Sequence, residues 1–336
     1  MAPKSTGESS FDDLEREIRS YLAEVAHTAS PTRVLREIQA AQARVRKITK
    51  SVTRSSLERA AKAGFEIRGG VVREPQASAD GNGAAAPLIS TAEDEIQKAR
   101  SVQSKLLPTE APKLPGFDIG IYNRFCHEVG GDYFDFFNLP DKRVGFIIAD
   151  VSGKGIPAAM VMVMLRSILR MVAANGHSPT DTMVHTNRLL VRDMLRGMFV
   201  TALYTVIDAD RREMTLVNAG HYPPLIWRPR LSGTRMINLR GPALGLLDVR
   251  RFAAAISEKT LTLERGDCLC FFTDGVPEAK NLLGEEFGER RLAQALRDLA
   301  GQPARRIVEG IVAAVDSHSE EAPQHDDITI IAMKAP

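Results

Sequence analysis

The chain has 336 residues, of which 44% are apolar and 26% charged, and its formal net charge at pH 7 is +2. These ordinary globular values exclude wholesale disorder and a fibrous repeat, and so small a net charge gives no reason to expect nucleic-acid binding by the whole molecule. The longest nearly uncharged apolar stretch, 156–165, is much shorter than a membrane span, and the first residues lack the apolar core of a signal peptide. We therefore expect a cytoplasmic protein of about two domains.

Residues 1–68 are predicted to form a helical regulatory segment. Apolar residues recur at spacings of three and four over 14–25 and again over 34–52, as in two amphipathic helices of a hairpin. Positions 33–62 carry nine Lys and Arg against two Glu, a local net charge of +7. Such a run is usually a solvated face and less often a site for an acidic partner or nucleic acid. Because the apolar stripe needs another helix for burial, we expect it to bind a regulatory protein or a second subunit in a homodimer.

A flexible linker and a connecting helix are predicted next. Residues 69–89 are rich in Gly, Ala and Pro without periodicity, which is typical of a linker. Ser90 and Glu93 have the spacing of a capping box, and a proline at 108 ends the pattern, so a helix is predicted over 90–107. This helix and the residues up to 114 lead into the catalytic domain.

Residues 115–336 form the predicted catalytic domain, where short apolar runs are broken by Gly, Asp and Pro. Strands are predicted over 117–122, 133–139, 143–149, 200–208, 213–218, 224–228, 268–273 and 328–333, and helices over 156–174, 179–196, 288–300 and 303–317. Many strands are joined by short turns, so an α+β fold of antiparallel sheets covered by helices fits better than a doubly wound parallel sheet. Cys268 and Cys270 lie in one strand, where reduced core thiols are expected.

Aspartates stand at the ends of several predicted strands. Asp150 and Asp274 each end an apolar run, Asp132 follows two glycines, and Asp326 and Asp327 begin the last strand. Each has an ordinary explanation as turn chemistry, but together at one sheet edge they would raise one another's pKa values unless cations neutralised them. An all-oxygen site favours Mg²⁺ or Mn²⁺. Two such ions bridged by a carboxylate can activate a water for in-line attack on phosphorus, without a protein nucleophile.

Six motifs, in chain order, resemble a known family: EVGGDYFDFF, ADVSGKGIPAAM, NAGHYPPL, GPALGL, FFTDGVPEAKN and DDITIIAM. Over about residues 92–334 the chain resembles the SpoIIE/RsbU-type bacterial branch of the metal-dependent protein phosphatases, the PPM family. The resemblance implies an α-β-β-α sandwich with two Mn²⁺ or Mg²⁺ ions at one end. It also implies hydrolysis of phosphoserine or phosphothreonine, with a phosphorylated STAS-domain anti-sigma-factor antagonist as substrate in a partner-switching stress or developmental pathway.

The resemblance also implies roles for individual residues. Asp150 matches the metal-bridging carboxylate, with the backbone carbonyl of Val151 beside it. The other metal-binding and catalytic aspartates of the family are matched by Asp132, Asp274 and Asp326. Asp327 occupies the neighbouring position, where many members have Asn, so the candidate metal ligands include both Asp326 and Asp327. Asp135 is expected to be a supporting or structural acid.

Two departures from the eukaryotic members leave roles open. Those members have a His soon after the bridging aspartate, whereas this chain has Val-Ser-Gly at 151–153, which leaves the proton donor open. They also have a phosphate-binding Arg before the first aspartate, and here only Arg124 and His127 lie upstream, neither clearly equivalent. Lys154 is an option for binding phosphate, or a solvated loop lysine. His221 is expected to cap a turn, outside the site.

Two other functions and one regulatory hypothesis complete the sequence-based expectations. The main alternative is a catalytically silent PPM-fold binding module, against which the four matched aspartates argue. A metal-dependent nuclease that holds nucleic acid on the basic segment has less support, and its binding would weaken steeply with salt. We also predict that the 90–107 helix, through Ile96, Val102 and Leu106, controls catalysis by shifting the 156–174 helix, because that helix follows Asp150 directly.

Overall fold

A computed structural model of the chain describes residues 66–68, 71–73 and 86–335 and places the side chains of residues 93–335. The helices predicted over 14–25 and 34–52 lie outside these residues. The first described element is an antiparallel hairpin of β1 (Glu66–Arg68) and β2 (Val71–Arg73). Here the sequence predicted the end of a helical segment and the start of a linker. β-Branched residues flanking a Gly-Gly pair favour a hairpin instead.

The connecting helix α1 spans Ala86–Ser104, earlier at both ends than the predicted 90–107. Ser90 therefore lies inside the helix, and the predicted capping box is wrong. The start signal is Pro87, because proline fits the first turn of a helix, where its missing N–H needs no partner. The predicted contact stripe also differs, since Val102 is 61% exposed.

Two five-stranded antiparallel sheets form the centre of the catalytic domain. The first has the order β10 (Glu258–Thr262), β7 (Glu213–Ala219), β6 (Val200–Asp208), β5 (Val144–Val151) and β4 (Tyr133–Asn138). The second has the order β3 (Asp118–Arg124), β12 (Ile328–Lys334), β11 (Cys268–Phe272), β8 (Leu225–Arg228) and β9 (Gly233–Met236). All eight predicted strands form. The sequence missed β9 and β10, which are edge strands with charged residues in place of an apolar run.

Helices cover the outer face of each sheet. Helices α2 (Gly155–Ala173) and α3 (Pro179–Leu190) pack on the first sheet, the short α4 (Val249–Ala255) packs on α3, and α5 (Gly288–Leu299) and α6 (Ala304–Ser319) pack on the second sheet. The α-β-β-α sandwich is confirmed. Helix α3 ends earlier than predicted, and α4 was missed because seven residues are too few to show periodicity. In the described part of the chain, α2 alone is long and apolar enough to cross a bilayer, but 50% of that apolar window is buried in the protein, as expected of a core helix.

The core has three layers: one between the sheets, one under α2 and α3, and one under α5 and α6. Between the sheets, Phe146 of β5 meets Phe271 of β11 edge-on, with ring centroids 4.9 Å apart. Cys268 and Cys270 of β11 point the other way, into the layer under α5 and α6. Both are free and buried, as predicted, and burial raises the pKa of the Cys268 thiol to about 12. These cysteines therefore act as small apolar core residues.

Candidate metal centre

The antiparallel register of the first sheet brings two of the predicted aspartates together. Tyr133, at the start of β4, pairs with Ala149, near the end of β5. Asp132 precedes this pair on one strand and Asp150 follows it on the other. The two carboxylates therefore meet at one end of the sandwich although 18 positions separate them in the chain.

The second sheet brings the remaining aspartates to the same end. Phe272, the last residue of β11, pairs with Ile330 near the start of β12. Asp274 lies just beyond β11, and Asp326 and Asp327 lie just before β12. We call the set Asp132, Asp150, Asp274 and Asp326 the acidic rim. The structure thus assembles all four residues that the sequence singled out as catalytic.

Asp132 joins the two sheets at this rim and is only 1% exposed. Its Oδ2 accepts hydrogen bonds from the hydroxyls of Thr273 (2.8 Å) and Thr329, both from the second sheet. Within the described residues its Oδ1 is buried without any hydrogen-bond partner. Burial, reinforced by Asp150 and Asp327, raises the pKa of this carboxyl well above its ordinary value. A cation at Oδ1 would satisfy the unpaired oxygen and relieve the repulsion.

Asp150 and Asp274 have raised pKa values for the same reasons. Burial, then repulsion from Asp274 and Asp326, raises the pKa of Asp150 to about 8. Burial, then Asp326 and Glu278, raises the pKa of Asp274 to about 6. Without cations, the acidic rim therefore holds protons near neutral pH, as expected of carboxylates arranged to surround positive charge.

Gly131, in the loop before Asp132, packs closely against Asp150 and Val151, the two proposed ligands on β5. A Cβ at this position would lie 2.9 Å from the carbonyl oxygen of Val151 and 3.4 Å from Asp150 Oδ1. Glycine is thus required because the loop before Asp132 runs directly against both oxygens. In residues 93–335, no three acidic, His or Cys side chains are grouped closely enough to hold one ion by themselves. The fit to a metal rests on the unpaired Asp132 oxygen, the raised pKa values and this carbonyl.

Asp326 and Asp327 have different environments. The Asp327 carboxylate, in a residue 6% exposed, accepts backbone N–H bonds from Cys126 (2.7 Å), Gly131 (2.9 Å) and Asp132 (3.4 Å). Both of its oxygens are therefore engaged in holding the loop that leads into β4. This differs from the metal-ligand role considered for it in the sequence. Asp326 accepts one backbone N–H, from Asp327 at 2.9 Å, and its other oxygen pairs with a lysine side chain. Its charge raises the pKa of both Asp150 and Asp274, so its place beside these carboxylates favours Asp326 as the ligand.

Lys154 forms an ion pair with Asp326, with 2.8 Å between Nζ and Oδ2, and also donates to the carbonyl of His325. Its positive charge lowers the pKa of Asp150 and Asp274, against the larger effect of burial. The side chain is 45% exposed, so this pairing holds its ammonium group beside the acidic rim while solvent can still reach it. The sequence placed Lys154 near the site but gave no signal for the pairing.

The two upstream candidates for phosphate binding have no contact with the four rim carboxylates among the hydrogen bonds and ion pairs of residues 93–335. Arg124 forms an ion pair with Asp316 of α6 at 2.8 Å, and His127 is exposed. Asp135 has the structural role expected of it. It is 1% exposed and accepts hydrogen bonds from Arg170 of α2, at 2.7 Å, and from the Tyr133 hydroxyl, at 2.8 Å.

His221 lies behind the rim rather than on it. Its Nδ1 is 2.9 Å from the Thr201 hydroxyl, which is within 3.5 Å of the Asp150 carbonyl oxygen. The turn itself is closed by Asn218, whose side chain bonds the N–H and C=O of His221. Burial lowers the pKa of His221 to about 4, so the ring is neutral at neutral pH. The histidine therefore supports the Asp150 strand, and the asparagine performs the turn capping that the sequence assigned to the histidine.

A contact that sequence reasoning missed links α1 to the rim. Gln103 is 3% exposed; its Nε2 donates to the carbonyl of Gly130 at 2.7 Å, and its Oε1 accepts from the Gly130 N–H at 3.1 Å. Just beyond α1, Arg166 of α2 donates to the carbonyl of Leu106 at 3.0 Å. The end of α1 thus contacts both the Asp132 loop and α2. A polar residue among apolar neighbours gave no pattern from which to predict this.

Comparison with known proteins gives consistent matches for this domain. The family model of Stage II sporulation protein E (SpoIIE) matches residues 140–336, more than half of the chain. The phosphoserine phosphatase RsbU of Bacillus subtilis (strain 168) is 29% identical over 245 residues, covering 71% of this chain and 70% of RsbU. The solved SiaA-PP2C domain of Pseudomonas aeruginosa is 24% identical with a TM-score of 0.65, covering 75% of this chain and 99% of that domain. The solved RsbU and RsbW domains of Rv1364c from Mycobacterium tuberculosis are 25% identical with a TM-score of 0.58, covering 69% of this chain and 64% of that chain.

Proposed function

The chain belongs to the SpoIIE family and has the fold of its PP2C-type phosphatases, and on this premise we propose that it hydrolyses phosphoserine or phosphothreonine on a STAS-domain anti-sigma-factor antagonist. One observation carries the catalytic part of the proposal. At the acidic rim, the buried Asp132 leaves one carboxylate oxygen without a partner, while Asp150 and Asp274 have raised pKa values. Asp327, by contrast, has both oxygens bonded by backbone N–H groups.

We propose that two Mn²⁺ or Mg²⁺ ions are held by the four carboxylates of the acidic rim and the carbonyl of Val151. When bound, these cations would supply a water acidic enough to attack phosphorus at neutral pH. Asp132 and Asp150 would bind from the first sheet and Asp274 and Asp326 from the second, so the rigid packing of the two sheets sets the spacing of the site. Lys154, beside Asp326, is the cationic side chain that we propose meets the substrate phosphate.

The substrate class is supported by similarity rather than by geometry. RsbU is a phosphoserine phosphatase, and Rv1364c carries RsbU and RsbW domains in one chain. We propose that this chain acts in the cytoplasm in a comparable partner-switching pathway. We also propose that a regulatory protein binds the N-terminal segment, which carries an apolar stripe and a run of basic residues.

The test is phosphate release from a panel of purified phosphorylated STAS-domain proteins, with Mn²⁺ and after chelation with EDTA. We expect release that requires the cation and is abolished in Asp132→Asn and Asp150→Asn. Asp141→Asn is the matched control, because Asp141 lies on the surface, with its side chain 83% exposed. Full activity after thorough chelation would disprove the metal-dependent mechanism. Binding of Mn²⁺ without turnover of any phosphoprotein or of p-nitrophenyl phosphate would instead identify a catalytically silent module.

A further inference from the structure

A short hairpin, residues 279–287, projects from the segment that carries Asp274. The Glu278 N–H donates to the Asp274 carbonyl at 2.9 Å, which fixes the start of the hairpin directly beyond the proposed metal ligand. The Phe287 N–H then donates to the Ala279 carbonyl at 2.8 Å and closes the base. We call residues 279–287 the leucine hairpin, after the two residues at its tip. Its base is thus joined to the acidic rim by main-chain hydrogen bonds.

The tip of the leucine hairpin has a defined conformation. Asn281 Oδ1 accepts the N–H groups of Leu283 (3.0 Å) and Glu285 (2.9 Å), and Gly284 has a φ of 79° that a glycine adopts without strain. This conformation directs Leu282 and Leu283 outward, with exposures of 64% and 84%. Two adjacent exposed leucines on this turn form an apolar contact surface. Because the turn is already ordered, little conformational entropy is lost when a partner covers it.

The hairpin is also held against the segment that leads to Asp326. Phe287 is 3% exposed and packs edge-on against His318 of α6, with ring centroids 5.6 Å apart. The His318 Nε2 lies 3.0 Å from the Glu285 carbonyl oxygen. Because Asp274 precedes the hairpin and α6 leads to Asp326, the hairpin stands on the second-sheet side of the acidic rim.

The charges around the leucines indicate the chemistry of what they bind. Three glutamates, Glu278, Glu285 and Glu286, lie on the hairpin or next to its base. The cations there are Lys280, 4.0 Å from Glu286, and Arg291, which donates to the backbone carbonyls of Glu286 and Phe287. We infer that the leucine hairpin is a docking surface for the folded phosphoprotein substrate, through an apolar patch on that protein flanked by Lys or Arg. This rests on the proposed phosphatase function and adds to it a contact remote from the phosphoserine.

The length of the hairpin places the two leucines away from the site of phosphate hydrolysis. From Ala279 to Leu283 is four residues, which at about 3.3 Å each span roughly 13 Å. A small phosphate ester at the acidic rim would not reach the leucines, whereas a folded domain would cover both. The leucine hairpin should therefore contribute to the KM of the protein substrate and leave small-substrate turnover unchanged.

The experiment uses the full chain with Leu282→Ser and Leu283→Ser combined, and Leu231→Ser as the matched control. Leu231 is 42% exposed and follows Pro229, which lies against Gly266 at the opposite end of β11 from Asp274. Activity is measured on a phosphorylated STAS-domain protein that the wild type hydrolyses, on a short phosphopeptide from it and on p-nitrophenyl phosphate. For the double variant we expect kcat/KM on the protein to fall about tenfold, mainly through KM, with the other two substrates and the control unaffected.

Four outcomes would overturn the inference. Wild-type kcat/KM on the protein would show that the leucines do not dock it. An equal loss on all three substrates would show that the substitutions distort the acidic rim. A change of oligomeric state in sedimentation would assign the leucines to a second copy of the chain. If the wild type hydrolyses p-nitrophenyl phosphate but no STAS-domain protein, the proposed substrate class is wrong, and the inference fails with it. Leu283→Ser alone, checked by circular dichroism, serves if the double variant does not fold.

Discussion

Strands β5 and β11 pass through two contrasting environments within a few residues. At mid-strand, Phe146 and Phe271 pack against each other between the sheets, with 0% and 1% exposure. At the strand ends, Asp150 and Asp274 face other carboxylates, and their pKa values rise to about 8 and about 6. The inter-sheet core is complete without any ligand, whereas the acidic rim is not. The stable layer thus holds in place a group of charges that repel one another, and this repulsion favours cation binding.

The sharpest way to test this contrast is to remove one charge from the rim without changing its volume. Asp150→Asn should leave the fold intact and reduce phosphatase turnover by orders of magnitude, because it deletes the proposed bridging ligand. The metal-free variant should also be no less stable than the wild type at pH 8, because the repulsion has been removed. Turnover and thermal unfolding are measured side by side, with Asp141→Asn as control. Wild-type turnover would show that the site lies elsewhere.

A second substitution removes a side chain from the inter-sheet core and leaves the carboxylates of the acidic rim in place. Phe271→Ala should lower the free energy of unfolding by about 3–5 kcal/mol, because it leaves a cavity between the sheets. Turnover per folded molecule should change far less than in Asp150→Asn. Urea unfolding gives the first quantity, and activity at low temperature normalised to the folded fraction gives the second. A loss of turnover as large as that of Asp150→Asn would mean that core and rim are not separable.

The raised pKa values predict how cation binding depends on pH. Below about pH 8 Asp150 holds a proton that the cation must displace, so Mn²⁺ affinity should rise with pH between about 6 and 8, by up to about tenfold per unit. Calorimetry in two buffers of different ionisation enthalpy measures the protons released. Asp150→Asn should release about one proton fewer. An affinity independent of pH would contradict the raised pKa.

The same shift fixes the sign of the stability change in the metal-free protein. The folded-state pKa of Asp150, about 8, lies above its ordinary value of 3.8, so its contribution to stability is present at low pH and lost as the pH rises through about 8. His221 acts oppositely at lower pH. Its folded-state pKa of about 4 lies below the ordinary 6.5, so stability is lost as the pH falls from about 6.5 towards 4. Above about pH 6.5 only the Asp150 contribution of the two still changes, so chemical denaturation of the metal-free protein should show stability falling as the pH rises from about 6.5 to 8.

The smallest expected effect concerns the contact between α1 and the rim. Gln103→Ala removes both hydrogen bonds to Gly130 and should weaken Mn²⁺ binding several-fold without unfolding the protein, because the loop before Asp132 loses its support. Val102→Asp, one residue away and solvent-exposed, is the matched control and should have no effect. Equal Mn²⁺ affinities in wild type and Gln103→Ala would rule out this route from α1 to the site.

The sequence predicted the elements that carry a clear apolar pattern. Apolar runs predicted eight of the ten strands in the two sheets. Aspartates at the ends of those strands predicted the acidic rim, because neighbouring strands bring their ends together. It could not show that the Asp327 carboxylate binds three backbone N–H groups or that Lys154 pairs with Asp326, since each joins positions more than 170 residues apart. Gln103 was missed for a different reason, because the sequence does not show which partner a polar side chain will have after folding.

The bonds from Asp327 to Cys126, Gly131 and Asp132 also set an order of events during biosynthesis. Domains form as the chain is made from its N-terminus, and Asp327 immediately precedes β12, the last of the described strands to be translated. Until that strand is inserted between β3 and β11, the loop that carries Asp132 has no carboxylate to collect its amides. A nascent chain with the first sheet complete thus still lacks a formed acidic rim. We therefore expect phosphatase activity only from chains that include this last strand.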